Sequence, residues 1–298
     1  MGKLTHNLEE ENVKVKTLIN LSELSVNIKN LNSSIPIQGK QHVLSQETLR
    51  FKDSDNFTFK GQFKESVGEI YLYLNNGYLY GMIHIENQTF QIEPINKLYG
   101  VLLQRDFSEA ICPLGQDHSH EDKSKMKEDD DDSEKSINSF SGTPTIDVMV
   151  IFSEQAAISN PNMEALAEGS IQSSNDSFSN SNIDVNFNLI HYQQVSYSES
   201  GDISTDLSRL VGTNDGYMDD VHWLRDVYGA DVVILIVDFD PFLCGKATII
   251  EATSNLAFAA VRDDCSIGNY TFAHEIGHLA GARHDNDQAS SPYAFGHG

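Results

Sequence analysis

Basic residues are scarce in this chain: 20 Lys and Arg stand against 44 Asp and Glu in 298 residues, a formal net charge of -24. So acidic a surface argues against nucleic acid and anionic membranes as partners, since both attract basic proteins. Long apolar runs are missing as well. No stretch of about 18 consecutive apolar residues occurs, so nothing in the sequence reads as a membrane-spanning helix. The first eleven residues, MGKLTHNLEEE, lack the apolar segment of a signal peptide. There is no Gly-x-Ser-x-Gly elbow, no phosphate-binding Walker loop and no dinucleotide fingerprint, which removes the familiar serine-hydrolase, nucleotidase and dehydrogenase readings. Cysteine is sparse, with three in all, Cys112, Cys244 and Cys265. What remains is 39% apolar residues, enough for a real core and for one large or two smaller domains.

The informative stretch runs from His274 to Asp285 and reads H-E-x-x-H-x-x-G-x-x-H-D. On a helix, residues four apart share a face, so His274 and His278 project side by side and can grip one metal ion. Glu275 leans toward the same place without having to ligate, which suits a general base acting on a metal-bound water. Gly281 lets the backbone leave the helix, because glycine takes positive φ cheaply. His284 then returns as a third ligand. Three protein ligands with an open fourth position describe a catalytic zinc site rather than a structural one. Five fixed positions at roughly one in twenty each make a chance match in a chain of this length on the order of one in ten thousand.

This is the extended zinc signature of metzincin peptidases, and Asp285 after the third histidine resembles the reprolysin (adamalysin) branch. Ala273-His274-Glu275-Ile276-Gly277-His278, Gly281-Ala282-Arg283-His284-Asp285 and Pro292-Tyr293-Ala294-Phe295-Gly296 are similar to secreted bacterial reprolysin-like enzymes, among them the peptidyl-aspartate metalloendopeptidases. The resemblance implies Zn2+ held by His274, His278 and His284, Glu275 as the catalytic base, and protein or peptide substrates outside the cell. A preference for cleavage beside aspartate follows from the family alone. Composition gives no reason for it.

Residues 1–50 are polar and weakly patterned, an expected lead-in. From 51 to 115 the pattern is β-rich. Phe57, Phe59 and Phe63, then Ile70, Leu72 and Leu74, then Met82, Ile83 and Ile85, then Phe90 and Ile92 predict four short strands, with Asn75-Asn76-Gly77 as a hairpin corner. Gly81-Met82-Ile83-His84-Ile85 and Ile92-Glu93-Pro94 resemble the prodomain of reprolysin-like enzymes, which makes the chain a zymogen. Cys112 follows. A thiolate there would fill zinc's open position as a cysteine switch, and the alternative is a thiol with no metal contact. Residues 116–143, with His118, His120 and the run Glu128-Asp129-Asp130-Asp131-Asp132, read as an acidic linker open to activation cleavage.

From 144 to 298 the expected unit is an α/β metzincin-like catalytic domain. It has a twisted, mostly parallel sheet, covering helices and zinc on the last helix. Val232-Val233-Ile234-Leu235-Ile236-Val237 is the apolar run of a strand buried on both faces. Residues 245–249 are the expected antiparallel edge strand, which the family uses to hold substrate. An odd cysteine count in an exported protein implies one disulfide and one spare thiol, and the disulfide is placed at Cys244 and Cys265. In a cytosolic protein the alternative is three free thiols. The family's methionine turn after the third histidine has no counterpart, since Met218 is the last methionine and the sequence stops at Gly298. The catalytic domain is therefore expected to be truncated. The reading is a zinc endopeptidase, with a catalytically silent zinc-binding fragment as the alternative.

Overall fold

The structure, a computed structural model, describes residues 13–22, 24–25, 34–53, 56–105 and 142–284. Cys112 and residues 116–141 of the expected linker lie outside the described residues. Two sheets organise the chain. The first is antiparallel and has eight strands: β1 (Val13–Asn20), β2 (Ser34–Ile37), β3 (Lys40–Phe51), β4 (Phe57–Phe63), β5 (Gly68–Asn75), β6 (Tyr78–Ile85), β7 (Gln88–Pro94) and β8 (Tyr99–Arg105). Their order is β1-β8-β7-β6-β5-β4-β3-β2. The β5–β6 hairpin turns on Asn76 and Gly77, both at positive φ (48° and 83°), the pair of conformations that a tight two-residue turn requires.

The expectation of an unpatterned lead-in over 1–50 is corrected here, because β1, β2 and nearly all of β3 belong to this sheet. The reason is physical. β1 and β2 are its two edges: β2 is only four residues long, too short for alternation to stand out, and the short Val-Lys-Val-Lys alternation of β1 went unread. Ile35, Ile37 and Leu44 face inward. β8 also escaped the four-strand reading.

β5 shows how the sheet is used. Ile70, Leu72 and Leu74 join one apolar cluster with Phe57, Phe59 and Phe90, while Tyr71 and Tyr73 point to the other side. That second side packs on the rest of the chain.

The second sheet has five strands: β9 (Thr145–Phe152), β10 (Asn186–Gln194), β11 (Val232–Val237), β12 (Gly245–Ala247) and β13 (Phe258–Arg262), in the order β10-β9-β11-β13-β12. The pairings β10–β9, β9–β11 and β11–β13 are parallel, and β12 runs antiparallel at the edge. Counting both sheets, antiparallel pairings dominate the chain. β11 is buried on both faces: Val232, Ile234 and Ile236 enter one cluster, and Val233, Leu235 and Val237 another.

Helices fill the remaining layers. After the short α1 (Glu154–Ser159), α2 (Met163–Asn180) begins at Asn162, whose side chain accepts from the Ala165 N–H. α2 lies between the sheets, and its buried Ala165, Ala167, Ser170, Ser173 and Ser174 let both approach closely. α3 (Ile203–Val211) and α4 (Asp219–Tyr228) cover the far face of the second sheet through Ile203, Leu207, Leu210 and Val221. α5 (Asp263–Ser266) and α6 (Thr271–Leu279) follow β13, and α6 packs on the same face as α2. Among the described residues no helix is long and apolar enough to cross a membrane.

Candidate metal centre

α6 has its apolar residues at helical spacing, and Phe272, Ala273, Ile276 and Leu279 are buried. That burial sets the helix's rotation and leaves His274 exposed, one turn before His278, which is 4% exposed. Gly281 then turns the chain at φ 103°. Its N–H donates to the His278 carbonyl at 2.9 Å, and the Ala282 N–H donates to the Gly277 carbonyl at 2.8 Å, capping the helix end. A residue with a Cβ would be strained at this φ. The reversal carries His284 back over α6.

Nε2 of His284 stands 3.0 Å from Nε2 of His274 and 3.1 Å from Nε2 of His278. Three nitrogens bound at 2.0–2.1 Å around a tetrahedral ion lie about 3.3 Å apart, so this is the spacing of a ligand set. Nδ1 of His278 is 2.8 Å from the Ala282 carbonyl oxygen. Donating there from Nδ1–H leaves the Nε2 lone pair facing the other two rings. The three imidazoles can hold one metal ion and leave a further coordination position open.

Glu275 lies against β12. It is 1% exposed, and no side chain among the described residues hydrogen-bonds its carboxylate. Burial pushes its carboxyl up to about 8, and the Ala247 backbone N–H and the Lys246 ammonium only partly offset this. A buried carboxylate with so little compensation is costly unless a further cation stands near. Space is tight as well. A Cβ added to Gly245 would stand 2.5 Å from Thr271 Cγ2 and 2.9 Å from Glu275 Oε1, so only glycine lets β12 approach α6 this closely. Just before Gly245, Cys244 is joined by a disulfide to Cys265 of α5. The edge strand is thereby tied to the segment that leads into α6.

Residues 165–285 match the family model described as Metallo-peptidase family M12B Reprolysin-like. The chain carries a reprolysin-like M12B metallopeptidase domain. It is 39% identical over 222 residues to the peptidyl-Asp metalloendopeptidase of Stenotrophomonas maltophilia (strain K279a), covering 73% of this chain and 52% of that one. It is 38% identical over 224 residues to the enzyme of the same name from Xanthomonas campestris pv. campestris, with the same coverages. The chain thus spans about half the length of these curated relatives. Among solved structures, metalloproteinase-II from Bacteroides fragilis shares the fold, with a TM-score of 0.50 at 14% identity over 96% of this chain and 86% of that one.

The fold brings His274, His278 and His284 of this reprolysin-like domain together, with Glu275 beside them in sequence and buried. Sequence reasoning placed an edge strand at residues 245–249 but missed that Gly245, Lys246 and Ala247 form the surroundings of the Glu275 carboxylate. A glycine inside a short strand was the available signal, since it marks close backbone approach.

Proposed function

We propose that the protein is a secreted zinc-dependent endopeptidase in zymogen form. The observation that carries this reading is the convergence of the three Nε2 atoms, with the buried Glu275 carboxyl group on the same helix. Zinc, when bound by His274, His278 and His284, supplies Lewis-acid polarisation of the scissile carbonyl and acidifies water. Glu275 takes the proton of the attacking water and passes it to the leaving amine. Its burial keeps the carboxyl's affinity for that proton high enough to hold it between the two transfers. β12, whose outer edge pairs with no strand among the described residues, receives the substrate backbone as an added strand.

Cleavage next to aspartate is supported by the name that the bacterial relatives carry. Lys246 on β12, whose ammonium acts electrostatically on Glu275 and bonds to Ser204 Oγ at 3.0 Å, supplies a cation there for an acidic side chain. The Cys244–Cys265 disulfide supports an oxidising, extracellular location. Latency is assigned to Cys112 as a thiolate ligand. Arg105, held at Asp264, leaves seven residues of chain, a reach of at most about 25 Å, in which to bring that thiol to the site.

The test is zinc stoichiometry together with hydrolysis of a peptide library by the wild type and Glu275→Ala. The expected result is one zinc per chain in both, with chelator-sensitive cleavage beside aspartate reduced at least about hundredfold in the variant. Hydrolysis retained by Glu275→Ala would refute the mechanism. Zinc binding without hydrolysis in the activated wild type would support the silent zinc-binding fragment instead.

A further inference from the structure

The antiparallel sheet meets the metallopeptidase domain on α2 and on residues 263–270, the segment that connects β13 to the metal-binding helix. Two features of this joint are unlike those of a removable cover. The first is a shared core. Tyr71, Tyr73 and Tyr80 of β5 and β6 belong to the same buried cluster as Val148, Val150, Ile171, Phe272 and Ile276, so the sheet and α6 pack in one apolar interior. The second is a buried charge network. The Arg105 side chain, 1% exposed, pairs with Glu93 at 3.0 Å and with Asp264 at 3.4 Å, and its Nε donates to Gln91 Oε1 at 3.1 Å. Gln91 Nε2 in turn donates to the Asp264 carbonyl at 2.6 Å, and Asp264 also receives Arg262 at 2.5 Å.

Beyond Asp264 the contacts continue toward α6. Gln91 occupies the space that a Cβ on Gly268 would need, 2.8 Å from its side-chain carbon. The Tyr270 ring, at the N-terminus of α6, lies between His84 and Tyr71, with ring centroids at 6.1 and 6.5 Å. These contacts gather at the N-terminal end of α6, before His274. Interfaces between separable domains are more polar than this, and stranding one member of a buried ion pair is strongly unfavourable.

We propose that the face made by α2 and residues 263–270 is a permanent docking surface for the chain's own N-terminal sheet. The sheet then remains bound as a second piece after the chain is cut between 106 and 141, and it holds the N-terminal end of α6. On this view activation frees the segment after Arg105 and leaves the sheet in place.

The test needs no peptidase activity. A recognition sequence for a site-specific protease is placed between Ser133 and Glu134 in a Glu275→Gln background, and the full chain is cut there. Size-exclusion chromatography at about 1 µM then follows in 0.1 M and 1 M NaCl, with calorimetry of the cut chain. Co-elution of both pieces at both salts is expected, because buried pairs are poorly screened, together with one cooperative unfolding transition. Separate elution, or two independent transitions, would overturn the proposal. Arg105→Met in the cut chain should weaken association of the pieces at least about hundredfold. Undiminished association of that variant would overturn the role of the charge network. If Arg105→Met fails to fold, the elution of the cut chain with its interface unaltered still decides between the two outcomes.

Discussion

Gly245 offers a sharp test of how the site is built, because one methyl group there opposes two different atoms. A Cβ at this position would lie 2.5 Å from Thr271 Cγ2, 2.9 Å from Glu275 Oε1 and 3.0 Å from Glu275 Cγ. Carbon atoms in contact prefer about 3.5–4.0 Å. Gly245→Ala therefore forces β12 and α6 apart, or displaces the Glu275 side chain, by about 1 Å. Overpacking of this kind costs about 1–3 kcal/mol. Taking about 2 kcal/mol, Tm should fall by about 4–8 °C. A misplacement of about 1 Å at a reacting group costs about a hundredfold in rate.

Differential scanning calorimetry and kcat measured on the zinc-loaded protein report the two effects separately. Adding Thr271→Ser removes the Cγ2 contact but leaves Glu275 crowded. The double variant should regain most of the lost Tm while its kcat stays low. If Gly245→Ala melts within 1 °C of the wild type and cleaves at the same rate, β12 is not pressed against α6 and the argument fails. Recovery of kcat along with Tm in the double variant would show instead that the strand's position, and not the Glu275 side chain, was disturbed.

Two further predictions concern the same region. Replacing Cys244 and Cys265 by serine opens a loop of 21 residues in sequence separation and should lower stability by about 3 kcal/mol. A melting temperature unmoved by a reductant would contradict this. In the metal-free protein, Glu275 holds its proton up to about pH 8, against an ordinary value of 4.5. Its contribution to stability is complete below about pH 4.5 and declines as pH rises toward 8, by roughly 4–5 kcal/mol before any relaxation of the site. Denaturant unfolding of the metal-free wild type and Glu275→Gln checks the sign: the wild type should lose stability relative to the variant over this window and run parallel to it above pH 8. A difference that grows in the wild type's favour would refute it.

How much of this was legible in the sequence depends on the range of the interactions. The metal centre is local: His274, His278 and His284 lie within eleven residues, and a helix followed by a glycine exit is enough to converge them. The sheet strands were legible where a long apolar run made their pattern strong, as in β11, and illegible at the edges, where β2 has only four residues and the apolar positions of β1 are interleaved with lysines. The joint between the sheets was illegible for another reason. Gln91 and Asp264 are 173 positions apart, and nothing in either neighbourhood names the other.

One part of that joint did leave a signal. Ile70-Tyr71-Leu72-Tyr73-Leu74 is apolar at every position. Reading only Ile70, Leu72 and Leu74 as a buried face treats the tyrosines as solvent-facing, yet Tyr71 and Tyr73 are 4% and 5% exposed. A strand in an antiparallel sheet with one wet face alternates apolar with polar residues. One that alternates aliphatic with aromatic residues must be covered on both sides, and in a chain with a second domain, that domain is the available cover. Tyrosine suits the second face because its ring fills the interface while its hydroxyl reaches a polar rim, as Tyr71 does in donating to Glu69 at 2.7 Å. The same residues that make this sheet look like a separate prodomain therefore argue, when both faces are counted, that it was built to stay.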